Sequence, residues 1–157
     1  MRTIGTDYLD ELKIPYKIKP HTRPVFTSED AAQERGVNLS QIVKTMLLKD
    51  EGGFTVVAVL PAHKKLDMKK IRKLTGHKDL QFMDRESIEN RMGLTVGALA
   101  PISQVLKEIP MLVDPAVFEE EILDISSGDP NAGLEIHRDV LRKLLQGATL
   151  GEITKNT

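Results

Sequence analysis

Two apolar segments joined by a glycine turn constrain the fold of this chain more than any other feature. Residues 42–48 (IVKTMLL) and residues 54–60 (FTVVAVL) have the length and the side-chain types of β-strands. The segment between them, residues 50–53 (DEGG), has the composition of a turn. The pattern predicts a β-hairpin, and it places Lys44 inside an otherwise apolar strand.

Helix and strand signals alternate on both sides of this hairpin. Capping side chains and glycines delimit two helices, one from Thr27 to Gly36 and one that Asp67 caps and Gly76 ends. Helices are also predicted at residues 6–14, 85–92 and 139–146, and strands at residues 15–21, 80–84, 110–114, 121–126 and 134–137. Because no strict strand–helix–strand rhythm emerges, we predict a mixed α/β fold, with helices around one mixed sheet in a single domain over residues 1–157.

The composition excludes several classes of function. The 22 basic and 23 acidic residues give a formal net charge of −1, so attraction to nucleic acid requires local clustering of charge. The chain has no cysteine, which excludes disulfides, zinc thiolates and a cysteine nucleophile. No apolar run reaches the roughly 18 residues of a membrane span, and the N-terminus lacks an apolar signal segment. We therefore expect a cytoplasmic protein with no membrane partner.

Known motifs narrow the chemistry further. The sequence contains no phosphate-binding GxxxxGK[ST] loop, no GxGxxG fingerprint and no GxSxG nucleophile motif. The four histidines are dispersed and lack the spacing of metal ligands. We therefore expect neither a cofactor nor a metal ion.

The segment from residue 63 to residue 74 (HKKLDMKKIRKL) concentrates positive charge. Met68, Ile71 and Leu74 recur three residues apart, so we expect them to form a buried stripe. The flanks and the outer face then carry five lysines, Lys64, Lys65, Lys69, Lys70 and Lys73. These lysines either contact phosphates, with a strong dependence on salt, or form an ordinary solvated face.

Lys44 and two loops are the other candidate functional features. An unpaired buried ammonium is costly, so Lys44 needs an anionic partner, an anionic ligand or a pocket open to water. Alternatively, its stem covers apolar surface while its head reaches solvent. Residues 93–101 (GLTVGALAP) allow close approach of a ligand to the backbone, or merely connect two elements. Residues 126–133 (SSGDPNAG) have the composition of a hairpin loop.

These features together resemble the YbaK/ProRS-associated editing domain family. The resemblance rests on four ordered segments: VKTMLL at 43–48, VLP at 59–61 followed by KLD at 65–67, the GxxxP of 97–101, and the Ser-Gly of 127–128 ahead of GLEI at 133–136. It covers nearly the whole chain. It implies a mixed α/β sheet, partly barrel-like, with surrounding helices.

The resemblance also implies a function, that of an aminoacyl-tRNA deacylase acting in trans. Such a hydrolase cleaves the ester of a mischarged tRNA, here tRNA for proline carrying alanine or cysteine. The implied partners are the acceptor end of the aminoacyl-tRNA and an aminoacyl-tRNA synthetase, and the oligomeric state stays open. The implied catalytic residues are Lys44, Gly97 and Pro101. The implied substrate-binding residues are Thr45, Met46, Ala98, Ser127 and Gly128. The five lysines of the basic segment would contact the tRNA.

An aminoacyl ester is already activated, so hydrolysis needs no covalent nucleophile. The enzyme has to position a water molecule, stabilise the developing oxyanion and hold the terminal adenosine. Lys44 would pair with a phosphate or ribose oxygen of the tRNA end. In the resembling family, a backbone group of the loop at 97–101 and the substrate's own ribose hydroxyl help to activate the water. Two other classes stay open on sequence alone: a non-catalytic module that binds tRNA or a synthetase, and a hydrolase of small esters unrelated to tRNA.

Overall fold

Eight strands form one sheet in the computed structural model, which describes residues 1–156. The strands are β1 (Lys17–Pro20), β2 (Ile42–Lys49), β3 (Thr55–Pro61), β4 (Gln81–Phe82), β5 (Met111–Val113), β6 (Ile122–Asp129), β7 (Ala132–His137) and β8 (Thr149–Leu150). The α-helices are α1 (Ile4–Glu11), α2 (Ser28–Arg35), α3 (Met68–Thr75) and α4 (Arg138–Leu144). Short 3₁₀ segments occupy Leu39–Gln41 and Pro115–Phe118, and a π-helical turn occupies Ser87–Arg91.

The sheet is mixed, as the sequence predicts. Its order is β1-β7-β6-β2-β3-β5-β8, and β4 pairs with β2 outside this path. The β2–β3 hairpin is antiparallel, whereas β2–β6, β3–β5 and β5–β8 are parallel pairs. The outer strands β1 and β8 are not paired with each other in the described chain, so the sheet stays open. The mixed α/β fold with helices around one sheet is therefore confirmed.

One edge of β2 is only partly covered by neighbouring strands. At its start, Ile42 and Val43 pair with β6, and at its end, Leu48 and Lys49 pair with β4. Between these two contacts, residues 44–46 have no strand partner on that edge within residues 1–156. A gap in the sheet therefore opens beside the middle of β2.

The sheet separates the two larger apolar clusters, because alternate side chains of a strand point to opposite faces. Val43 and Leu47 belong to the larger cluster, which also contains Leu9 of α1 and Leu141 of α4. Leu48 belongs to the smaller cluster, which α3 covers with the fully buried Ile71. Lys44 and Met46 are four and two residues from Leu48, so they share the face on which α3 packs.

Local capping explains why α2 and α3 begin and end where the sequence predicts. The hydroxyl of Thr27 accepts a hydrogen bond from the Asp30 N–H, and Asp67 caps α3 in the same way. Gly36 and Gly76 end these helices at φ of +67° and +73°, a conformation that favours glycine. The first helix starts earlier than the predicted residue 6, because Thr3 is its N-cap.

Three other predictions differ from the structure. Leu74 is 52% exposed, so the expected buried stripe of α3 is reduced to Ile71 and the half-buried Met68. The predicted helix at 85–92 is mainly the π-helical turn. The expected loop at 126–133 is mostly strand, because β6 continues through a bulge to Asp129 and β7 begins at Ala132.

Asp114 is a buried carboxylate that fixes the C-terminal segment. It is 3% exposed, and it accepts hydrogen bonds from the N–H groups of Ala116, Ile153 and Thr154 and from the Thr154 hydroxyl. Burial alone would raise the pKa of Asp114, but these hydrogen bonds outweigh it and hold the pKa below its ordinary value.

We expect Asp114→Ala to lower the free energy of unfolding by about 2–4 kcal/mol, because it leaves several buried N–H donors without an acceptor. Urea unfolding measures this loss, with the exposed Asp79→Ala as the control. Because the pKa of Asp114 is lower in the folded state, its stabilisation is complete above the pKa of an unfolded aspartate and decreases on acidification. The difference in free energy of unfolding between wild type and variant should therefore shrink below about pH 4. A loss no larger than that of the control would contradict this role.

Candidate active site

A cavity of about 460 Å³ lies beside the uncovered part of β2. Segments distant in sequence line it: α2 with the residues before it, residues 42–47 of β2, β4 with Met83 and Ile88, the loop at 96–99, and Ser126 with the turn between β6 and β7. No single stretch of the chain forms this cavity. It exists only because the pairings of β2 with β6 and with β4 leave space between them.

Lys44 lies at this cavity with an exposed side chain. Within the described chain, no carboxylate oxygen comes within 4 Å of its ammonium group. The cost of burying an ammonium is therefore avoided by opening the strand to water, and the charge remains available to an anion. Met46, on the same face of β2, is half-buried and also lines the cavity.

Thr45 presents two kinds of polar group toward the gap. Its side chain is 8% exposed, and its hydroxyl oxygen has no hydrogen-bond partner among residues 1–156. The bonds from Ala62 N to Ile42 O and from Asp50 N to Phe54 O place the even-numbered residues of β2 in bonded pairs with β3. The backbone N–H and C=O of Thr45 therefore point to the uncovered edge.

The loop at 96–99 closes the cavity opposite β2, and Gly97 is its tightest point. Gly97 has φ of +83°, and a Cβ there would lie 2.5 Å from the carbonyl oxygen of Phe26. Only glycine lets the loop approach the chain before α2 this closely. The next residue, Ala98, is buried against the cavity, and its N–H donates to the Thr95 carbonyl.

A charged network supports the cavity from behind. The Arg35 guanidinium lines the cavity, lies against Gly133, and donates from Nε to Nε2 of His21 at 3.1 Å. Burial lowers the pKa of Arg35, and the charge of Asp124 opposes that change. Burial also raises the pKa of Asp124, against the Lys19 ammonium 3.2 Å away. The Arg35 guanidinium also donates to the Ile125 carbonyl, so β6 and β7 together fix its position.

Five of the eight residues predicted to be catalytic or substrate-binding line this cavity: Lys44, Thr45, Met46, Gly97 and Ala98. Ser127 is fully buried and donates its hydroxyl hydrogen to the Ala132 carbonyl at 2.6 Å, and Gly128 packs beside Ile4 at φ of +94°. Neither lines the cavity, whereas Ser126 does. Pro101 is buried and lines a separate recess. The predicted roles of Pro101, Ser127 and Gly128 stay predictions.

The basic segment lies away from the cavity lining. Lys65, Lys69 and Lys73 are exposed, whereas the Lys70 ammonium donates to the Thr154 carbonyl and to the Asn156 side chain. Lys64 is half-buried. Since α3 packs on the face of the sheet that carries Lys44, its exposed Lys69 and Lys73 lie on that side of the sheet.

The cavity lining also includes Phe26, Arg35, Phe82 and Ser126, which are not among the predicted site residues. The sequence gives little indication that Arg35 belongs to a site, because an arginine is common in the last turn of a helix. The sequence gives no signal for the two phenylalanines, because an isolated phenylalanine is most often a core residue. The helices described in residues 1–156 include none that is both long enough and apolar enough to span a bilayer.

Comparison with known proteins agrees with this architecture. EbsC of Enterococcus faecalis, named as a candidate Cys-tRNA(Pro)/Cys-tRNA(Cys) deacylase, is 25% identical over 155 residues, covering 98% of this chain and 93% of that protein. The prolyl-tRNA editing protein ProX of Acetoanaerobium sticklandii is 26% identical over 142 residues, covering 88% and 86%. A proline–tRNA ligase of Thermosipho melanesiensis is 30% identical over 97 residues, which are 62% of this chain and 17% of the ligase.

The fold has solved counterparts as well. A structure described as a candidate trans-editing enzyme for prolyl-tRNA synthetase superposes with a TM-score of 0.83 at 21% identity, covering 96% of this chain and 94% of that one. The family model described as an aminoacyl-tRNA editing domain matches residues 22–144. This match confirms the resemblance drawn from the sequence and, with it, the enzyme class, a hydrolase that deacylates aminoacyl-tRNA. The chain belongs to the aminoacyl-tRNA editing domain family.

Proposed function

We propose that this chain acts in trans on tRNA for proline that carries alanine or cysteine. The observation that carries the proposal is the unpaired Lys44 ammonium, at a cavity bounded by the uncovered edge of β2 and the Gly97 loop. A cation without a protein partner beside such a cavity suits an anionic ligand, and the acceptor end of tRNA is a phosphodiester. The cytoplasmic location stays a prediction.

Lys44 and the Gly97 loop have separate roles in the proposed ester hydrolysis. Lys44 pairs with a phosphate or ribose oxygen and fixes the terminal nucleotide, while the backbone of the Gly97 loop positions a water molecule. The water oxygen forms a bond to the ester carbonyl carbon, and the bond from that carbon to the ribose oxygen breaks. The proton released by the water passes to the ribose oxygen. The products are the free amino acid and a tRNA with a restored hydroxyl.

The wall of the cavity bears on the choice of amino acid. Met46, Val96 and Ala98 contribute apolar surface to its lining, which suits a small side chain. An apolar pocket distinguishes one methylene by only about 1–3 kcal/mol, so alanine and cysteine are both candidate substrates. The relative named for cysteinyl-tRNA supports cysteine, and the relative named for prolyl-tRNA editing supports tRNA for proline.

A coupled charging assay tests the trans activity. A prolyl-tRNA synthetase without editing activity charges tRNA for proline with radiolabelled alanine or cysteine, and this chain is added as a separate protein. We expect the plateau of at least one mischarged product to fall in proportion to the chain added, while the prolyl-tRNA plateau is unchanged. Equal plateaus with and without the chain for both amino acids would contradict the proposal.

We expect the basic segment to act on association, so that activity falls with added salt. Changing Lys65, Lys69 and Lys73 together to glutamine should lower the slope of log kcat/KM against log salt by up to about 2, and leave kcat unchanged. The matched control changes three exposed lysines elsewhere, Lys17, Lys107 and Lys143. Equal slopes for the two triple variants would show that the segment does not contact the tRNA.

A further inference from the structure

Two phenylalanines at the cavity keep more than half of their side chains exposed. Phe26 is 54% exposed and Phe82 is 52% exposed, and both line the cavity. The chain has only four phenylalanines, two tyrosines and no tryptophan. A single exposed apolar residue is ordinary, but two exposed rings at one cavity indicate a surface that contacts a ligand.

The position of Phe82 is fixed by the sheet. It lies opposite Leu48 in the β2–β4 pair, and the Met83 N–H donates to the Leu47 carbonyl at 2.9 Å beside it. Paired residues of neighbouring strands project on the same face, so Phe82 shares its face with Leu48, and hence with Lys44. Four residues of strand separate Leu48 from Lys44, which corresponds to about 13 Å.

The position of Phe26 is fixed by its backbone rather than by its ring. The preceding residue, Val25, is 4% exposed, and its N–H donates to the Pro130 carbonyl at 2.9 Å. The following residue, Thr27, caps α2, and Gly97 packs directly on the Phe26 carbonyl. A rigid backbone therefore presents the ring beside the loop that we assign to the water.

We propose that Phe26 and Phe82 are stacking surfaces for the unpaired nucleobases at the 3′ end of the tRNA. This inference rests on the proposed function. Phe26, beside Gly97, takes the terminal base, and Phe82, about 13 Å along the sheet from Lys44, takes a base upstream of it. Unpaired bases bind proteins by stacking on exposed aromatic rings next to cations that contact the backbone, and Lys44 is the cation here.

Substrates of two lengths separate the roles of the two rings. One is the aminoacyl ester of adenosine alone, and the other is the same ester on a minihelix with unpaired 3′ nucleotides. Because stacking of one base is worth roughly 5- to 150-fold in affinity, we expect Phe82→Ala to raise KM about tenfold for the minihelix and to leave the adenosine ester unaffected. Phe26→Ala should raise KM for both substrates. Phe82→Tyr and Phe26→Tyr should restore wild-type values, since tyrosine also stacks.

A binding measurement without catalysis completes the test. Uncharged minihelices carry 2-aminopurine at the terminal or an upstream unpaired position, and stacking quenches its fluorescence. We expect Phe26→Ala to relieve the quenching at the terminal position and Phe82→Ala at the upstream one, with Leu150→Ala, 55% exposed on the outer strand β8, as the matched control. If KM and quenching are unchanged in both variants, the stacking proposal is wrong. Hydrolysis of mischarged tRNA by the wild type would in that case still support the proposed function. Quenching without hydrolysis of any mischarged tRNA would overturn the function and support the stacking.

Discussion

We expect the replacement of Lys44 by alanine to lower kcat/KM for the deacylation of mischarged tRNA by at least about 100-fold, which corresponds to roughly 2.7 kcal/mol of transition-state stabilisation. The ammonium has no protein partner among residues 1–156, so its removal leaves the substrate anion without a counter-charge in the cavity. Because Lys44 is exposed, the free energy of unfolding should change by no more than about 0.5 kcal/mol. Steady-state hydrolysis of purified mischarged tRNA and urea unfolding measure the two effects.

Two variants control this prediction. Lys44→Arg keeps the positive charge and should retain part of the activity. Lys65→Ala removes an exposed lysine outside the cavity lining and should lower kcat/KM only a few fold, through association. If Lys44→Ala loses no more activity than Lys65→Ala, then Lys44 is one of many surface cations and the catalytic assignment fails.

Replacing Gly97 by alanine should also reduce kcat/KM by about 100-fold, through displacement of the loop. The new Cβ would lie 2.5 Å from the Phe26 carbonyl oxygen, a backbone atom, so the two segments have to move apart. A shift of about 1 Å in a group that positions a reactant can cost 100-fold in rate. Pre-steady-state hydrolysis under saturating enzyme measures the loss in the chemical step.

Gly93 offers a matched control for this substitution. It has φ of +67°, similar to the +83° of Gly97, but a Cβ there would meet nothing within 4 Å. Gly93→Ala therefore carries the backbone strain, about 1–2 kcal/mol of stability, without the collision. Equal activities of Gly93→Ala and Gly97→Ala would show that the close contact with Phe26 has no part in catalysis.

The features that the sequence predicts best are those set by neighbouring residues. The caps at Thr27 and Asp67 and the glycines that end α2 and α3 act within one helical turn, so their signals are local. The β2–β3 hairpin is likewise set by its short turn. Lys44 stands out in the sequence because a charged residue interrupts an otherwise apolar strand.

The cavity itself depends on pairings between distant segments. The gap beside β2 follows from where β6 and β4 meet it, and no local pattern encodes either register. Pairing between distant segments also explains why Ser126, rather than Ser127, lines the cavity. Successive residues of a strand face opposite sides of the sheet, and the sequence does not predict that β6 continues through these two serines. Arg35 enters the cavity only because Gly133, on another strand, leaves room for it.

The measurement that tests the central claim most directly is hydrolysis of a panel of purified mischarged tRNAs by the free chain. The panel holds alanyl-, cysteinyl-, seryl- and threonyl-tRNA on the proline acceptor and on the cognate acceptors, with wild type beside Lys44→Ala. We predict selective release of alanine or cysteine from tRNA for proline by the wild type, and its loss in the variant. Binding of these tRNAs without release of any amino acid would contradict the account and identify the chain as a non-catalytic binding module.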